Sequence, residues 1–208
     1  MKVMLRVPVQ DAVDKSTVRW LLWLQEQPEA DTWDIDLHEA AGFGVANARN
    51  DILREFLTTD CTHVWMLDSD IAPPRKLHLL EGATDYPVLA GAYLGMTEVG
   101  LRWHMYHHLG DAGWAPLHPR KAPTTRWFKV DAAGTGCLLL QRGQVEALGP
   151  DPFAFERSPE GGWRGEDLLF GQKVGGLVVD THYVCEHSRR VPLTRLWQHA
   201  IEDLCRQP

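Results

Sequence analysis

A cysteine framework for metal or redox chemistry is missing from this sequence: Cys61, Cys137, Cys185 and Cys205 form no C-x-x-C pair. Cys61, Cys137 and Cys185 lie in or beside apolar runs, which predicts buried free thiols in a reducing compartment. No stretch approaches the roughly 18 apolar residues of a membrane-spanning helix. Arg6 and Gln10 interrupt the first apolar run too early for a signal-peptide core. A basic excess is also absent, since 21 Lys and Arg face 28 Asp and Glu for a net charge of -7. Without a basic field, contact with nucleic acid would be local, through Arg120-Lys121, Arg126 or Arg189-Arg190. There is no internal repeat and no low-complexity tract. Together these absences predict a cytoplasmic globular protein with no membrane span.

What is present suffices for one domain with a substantial core: 208 residues, 44% of them hydrophobic. Nine tryptophans are scattered along the chain, a distribution that suits core and cleft walls better than a membrane belt. Val3 to Val9 reads as a strand, and Asp14 to Thr17 can cap a helix running to Gln25 before Pro28. Trp33, Ile35 and Leu37 alternate with polar residues as a second strand with one wetter face. After Gly42-Phe43-Gly44, the spacing of Val45, Ala48, Ile52, Phe56 and Leu57 marks the buried stripe of a second helix.

His63 to Leu67 is a third strand, Pro73-Pro74 is placed to start a helix facing the core through Leu77 and Leu80, and Tyr86 to Leu94 returns as a strand. This β-α alternation predicts a parallel, doubly covered, Rossmann-like sheet. From Gly95 to Thr125 the periodicity fails, predicting a mobile substrate-side insertion with a hairpin about Gly110 to Gly113. Strands are expected again at Trp127 to Asp131, Gly136 to Gln141 and Leu177 to Cys185, and helices at Gly165 to Val174 and around Leu193 to Leu204.

Asp68-Ser69-Asp70 places two carboxylates where a buried strand leaves its sheet, the edge at which α/β sheets collect ligands. A bend there can turn both onto one hard divalent cation that bridges to phosphate. Glu166-Asp167 stands at a predicted helix start, and the preceding glycines 161, 162 and 165 hold Trp163 as a stacking platform. His187 follows another strand end as a possible nitrogen ligand, whereas His104, His107 and His108 read as substrate-side or solvent residues. Gly134-Thr135-Gly136 lacks a dinucleotide fingerprint; its glycines are expected to let a ligand approach the backbone. A bound Rossmann dinucleotide is not expected.

The order Ala48-Arg49-Asn50, Val64 to Asp70, Gly91-Ala92-Tyr93, Gly134 to Leu139, Gly165 to Phe170 and His187 resembles the GT-A glycosyltransferases, especially short family 2-like proteins of bacteria and bacteriophages. The resemblance spans nearly the whole chain. It implies a single-domain GT-A fold, Rossmann-like, with a mixed, mostly parallel sheet flanked by helices. Residues 1–94 would form the nucleotide-sugar half and 95–208 the acceptor-side half, with 95–125 a loop insertion.

The implied chemistry is sugar transfer from a nucleotide-diphosphate sugar with Mn²⁺ or Mg²⁺, in the cytoplasm of a bacterium or phage-infected host. Asp70 would be the surest metal ligand, Asp68 would bind ribose, metal or both, and His187 would complete the metal site. Pro8, Val9 and Gln10 would lie by the base, with Arg49, Asn50 and Ser69 beside the donor. Gly134, Gly136, Trp163 and Gly165 would meet substrate. Asp167 is first choice as general base and Glu166 second, should the enzyme be inverting; in a retaining enzyme the same carboxylate would position acceptor or donor. Glycan, small metabolite and modified DNA base all stand as acceptors. His38-Glu39 replaces the paired Asp usual after the second strand, which leaves the base unassigned. A metal-dependent phosphohydrolase or nucleotidyltransferase, or a non-catalytic sugar-binding module, are the competing readings.

Overall fold

Apolar residues at consecutive positions of a strand require cover on both sheet faces, and Val3, Met4 and Leu5 are all fully buried. Val3, Leu5 and Val7 pack with Trp20 and Leu24 on one face, while Met4 packs with Ile52, Leu53 and Phe56 on the other. Trp65 and Leu67 against Val64 and Met66, and Cys137 and Leu139 against Leu138 and Leu140, divide the same way. The core is thus two layers separated by one sheet.

A computed structural model describes residues 1–40, 44–97, 100–121, 123–149, 151–157 and 163–188. In chain order they form β1 (Val3–Val9), α1 (Lys15–Gln25), β2 (Asp34–Glu39), α2 (Gly44–Thr58), β3 (His63–Leu67), β4 (Ile71–Ala72), β5 (Val88–Ala92) and β6 (Leu94–Thr97). Then follow β7 (Gly100–His108), β8 (Trp114–Leu117), β9 (Trp127–Val130), β10 (Ala132–Ala133), β11 (Cys137–Gln141) and α3 (Arg142–Leu148). The last are β12 (Glu156–Arg157), β13 (Trp163–Arg164), α4 (Glu166–Val174), β14 (Leu177–Val184) and β15 (Glu186–His187). The predicted tail helix around Leu193 to Leu204, and Cys205, lie outside the described residues.

The main sheet has the order β2-β1-β3-β11-β5-β14-β9. β1 pairs in parallel with β2 and β3, and β5 with β14, while β11 runs antiparallel between β3 and β5 and β9 antiparallel on β14. This is the mixed α/β single domain expected. The C-terminal ends of β1, β2, β3, β5 and β14 share one edge, and β11 begins there.

Local signals account for the helices. Asp14 caps α1 by accepting from Ser16 N at 2.9 Å. Gly175, left-handed at φ 71°, ends α4. Among the described residues no helix is long and apolar enough to cross a membrane. Cys61, Cys137 and Cys185 are buried free thiols, as expected.

Two expectations are overturned. No helix starts at Pro73-Pro74: only a 3₁₀ turn, His78–Gly82, forms, and it buries Leu79 while Leu77 and Leu80 are half-buried. The carbonyls of Pro74 and Lys76 accept instead from Trp20 Nε1 at 3.2 Å and Tyr183 Oη at 3.0 Å. The described residues of 95–125 are not all loop: β6, β7 and β8 form a second sheet, which β10 joins on β7 in the order β10-β7-β6 with β8 on β7. The hairpin about Gly110 forms as predicted, with His108 opposite Trp114. Residues on both faces of β7 are partly exposed, so its sequence lacks the alternation by which a strand is read.

Candidate active-site cleft

The shared sheet edge opens into a cleft of about 430 Å³. Pro8 and Gln10 line it from the end of β1, Asp68, Ser69 and Asp70 from β3, Tyr93 from β5, Thr135 from the start of β11, Glu166 and Asp167 from α4, and His187 from β15. Ala40, Val45, Arg49 and His104 complete the wall.

β4 explains how residues 117 positions apart meet. Ile71 and Ala72 pair with His187 and Glu186, and Ser188 N donates to Asp70 O at 2.8 Å. Helix α1 braces the same turn, for Thr17 Oγ1 donates to Ile71 O at 2.9 Å and Asp14 N to Ser69 O at 2.7 Å. His187 Nδ1 lies 3.0 Å from Leu94 O. A carbonyl only accepts, so Nδ1 carries the proton and neutral imidazole presents a lone pair at Nε2. That atom faces Asp70 Oδ2 at 3.4 Å. Two acceptors at this separation need positive charge between them, either a proton on Nε2 or a cation.

Oxygen and imidazole donors fixed by a backbone carbonyl fit a divalent ion whose other ligands are phosphate oxygens and water. Among the described residues no group of three or more His, Cys, Asp or Glu is placed to hold a metal. Asp68 stands apart from the pair, since its Oδ1 accepts from Arg49 Nη2 at 2.6 Å.

Arg49 is buried and also donates from Nη1 to Glu166 Oε1 at 2.8 Å, while its Nε has no partner. Asp167, next to Glu166 on α4, accepts at Oδ1 from Leu168 N at 2.8 Å. Burial, reinforced by the Glu166 charge, pushes its carboxyl up to about 6. That value suits a group that takes a proton near neutrality.

Of the remaining predicted residues, Val9, Asn50, Gly134, Gly136 and Gly165 fall outside the cleft wall. Val9 packs against the apolar core. Asn50 is spent on Phe153, donating to its carbonyl at 2.9 Å and accepting from its N–H at 3.0 Å. The glycines of Gly134-Thr135-Gly136 make room for the protein itself: a Cβ at Gly134 would lie 2.0 Å from Tyr93 Oη, and one at Gly136 2.9 Å from Asp68 Oδ2. Gly165 caps α4, where a Cβ would meet Asp167 Oδ1 at 2.9 Å. Trp163 lies in β13, two residues before that cap.

Tyr93 and Thr135 line the cleft although the sequence assigns them no role, whereas His104, read from the sequence as a substrate-side or solvent residue, stands on the wall. Tyr93 follows a strand end just as Asp68 does, a signal that applies equally to it. His104 stacks on Tyr93 at 4.9 Å, and its position depends on the β6–β7 pairing, which no local pattern announces.

The sequence matches no family model and none of the curated proteins. Among solved structures, A197 from STIV is similar with a TM-score of 0.66 and 19% identity over 91% of this chain and 87% of that one. A glycosyltransferase involved in the glycosylation of the major capsid of PBCV-1 matches at TM-score 0.39 and 10% identity, over 70% of this chain and 62% of its own. The first likeness establishes a shared fold, and the second is too slight to carry a conclusion.

Proposed function

We propose that the protein is a metal-dependent glycosyltransferase that moves a sugar from a nucleotide-diphosphate sugar to an acceptor hydroxyl. The observation that carries this reading is the convergence, in one cleft, of the Asp70–His187 pair and the proton-accepting carboxyl of Asp167. The cleft's one arginine is already spent on Asp68 and Glu166, and no lysine lines it among the described residues. A diphosphate entering beside Asp68, Asp70, Glu166 and Asp167 therefore requires added positive charge.

Asp70 and His187 would hold Mn²⁺ or Mg²⁺, which supplies charge neutralisation for the leaving diphosphate. Pro8, Gln10, Ala40 and Val45 wall the end of the cleft beside β1, where the nucleoside would rest. Asp68 and Ser69, on the turn after β3, would meet the donor beside the Asp70–His187 pair. Asp167 takes the acceptor's hydroxyl proton as the new C–O bond forms at the anomeric carbon and the bond to the diphosphate oxygen breaks, the inverting course. Arg49 holds Glu166 through its Oε1, which leaves Asp167 as the carboxyl for that proton.

Calorimetry with UDP and GDP tests the reading directly. Binding is expected with Mn²⁺ and lost in EDTA, and Asp70→Ala should weaken it by about 10²-fold, on the order of one hard ligand lost. Equal binding with and without the metal would refute the assignment.

A further inference from the structure

Resting on that reading, we propose that Thr135, Tyr93 and His104 form the subsite for the transferred sugar and that the cleft accepts only an uncharged sugar. The sheet order fixes the direction along the edge. From β1 to β3 the cleft passes Pro8, Gln10 and Asp68 to Asp70; beyond β3 come β11 and β5, which bring Thr135 and Tyr93. A nucleotide sugar whose base lies by β1 and whose diphosphate lies by Asp70 must place its sugar over β11 and β5.

The wall there is built for a neutral polyol. Tyr93 and His104 stack at 4.9 Å with 28° between their planes, and the edge of His187 meets Tyr93 at 5.3 Å. This gives an aromatic shelf directly beside the metal pair, the kind of apolar surface on which a sugar's C–H face rests. Thr135 supplies the polar contact: it lines the cleft, is 2% exposed, and its Oγ1 is buried without a hydrogen-bond partner. An orphaned hydroxyl is costly, and a sugar hydroxyl meeting it would satisfy both groups.

Charge decides the class. Four carboxylates line the cleft, the Arg49 guanidinium is already divided between two of them, and no other described residue lining it carries a guanidinium or an ammonium. A cation at the Asp70–His187 pair is consumed by the diphosphate. A carboxylate on the sugar would face Glu166 and Asp167 with nothing to neutralise it, a repulsion strengthened by burial.

The test is titration, in Mn²⁺, with UDP, UDP-glucose and UDP-glucuronate, and with GDP, GDP-mannose and GDP-mannuronate, against the intact protein and Thr135→Val. In the series of the preferred base, the neutral sugar nucleotide should bind at least as tightly as the bare diphosphate. The uronate should bind at least about tenfold more weakly than the diphosphate. Thr135→Val, nearly isosteric, should weaken the neutral sugar nucleotide several-fold and leave the diphosphate within about twofold. A uronate bound as tightly as its neutral counterpart overturns the charge argument. Equal losses for sugar nucleotide and diphosphate in Thr135→Val would make that residue structural and overturn the subsite. Failure of both diphosphates and every sugar nucleotide to bind would overturn the nucleotide-sugar reading itself, an outcome distinct from either of these.

Discussion

Two buried arginines each hold two carboxylates, and they do so to different ends. Arg6 uses every arm: Nε and Nη2 donate to Glu55, Nη2 also to Asp34, and Nη1 to the carbonyls of Leu5 and Asp34. Its partners stay hydrated, Asp34 and Glu55 being 45% and 39% exposed, so little charge is stranded. Arg49 leaves Nε unpaired, and its partners Asp68 and Glu166 are 27% and 16% exposed. Asp167 crowds the same cluster. A saturated, wet cluster ties β1 to β2 and α2, whereas an unsaturated, dry one stores unfavourable charge at a cleft.

The sharpest way to break this contrast is to remove the dry arginine. Arg49→Met should cost about 3–5 kcal/mol in urea unfolding, because Asp68 and Glu166 would lose their buried counter-charge. It should also lift the apparent pKa of turnover, since Asp167 would lose the one nearby charge that favours its ionised form. A loss below about 1 kcal/mol would show that the cluster relaxes to solvent and is no different from that of Arg6.

Next in size, Asp167→Asn should lower single-turnover transfer by about 10²-fold or more, the scale of a lost general base. The same variant should be more stable than the parent above pH 6. The folded-state carboxyl titrates near 6, above its usual 3.8, so between about 4 and 6 the folded chain binds more protons than the unfolded one and stability falls as pH rises. The parent therefore carries the full penalty above pH 6 and loses it below about pH 4, where the two proteins should converge. Turnover of the parent should rise with pH through about 6 as Asp167 deprotonates. Thermal melts from pH 4 to 8 check the first claim, and a pH–rate profile checks the second.

A smaller effect is expected at the wet cluster. Arg6→Met should cost about 1–2 kcal/mol, since Asp34 and Glu55 can recover hydration, and should leave nucleotide affinity unchanged. Weakened nucleotide binding would couple the two clusters and undo the distinction. Smallest is Arg54→Ala, which removes exposed pairs to Asp51 and Asp151 and should shift stability by under about 0.5 kcal/mol.

The same division of labour governs what could be read in advance. β1, α1, α2, β3 and the Asp14 cap follow from apolar spacing and local hydrogen bonding, both written in adjacent residues. Asp68, Asp70, Asp167 and His187 could be singled out because each sits at an element boundary, and the fold brings all four into one cleft. What adjacency cannot encode is which strands become neighbours. The insertion of β11 between β3 and β5, and the half-exposed sheet built on β7, depend on partners tens of residues away. Asn50 illustrates the cost at single residues: beside Arg49 in a helix it reads as a ligand, yet both ends of its amide belong to Phe153.

The two-residue ladder between β4 and β15 sets an order of events during synthesis. A ribosome delivers all four cleft carboxylates by residue 167 but withholds His187 until almost the whole described chain has emerged. The ladder closes a loop of more than a hundred residues, so its loop-closure entropy must be overcome by strands already docked. A nascent chain or one truncated before Glu186 can own every acidic group and still lack the imidazole that faces Asp70. The approach of that imidazole to Asp70 is in this way a report that the last described strand has seated.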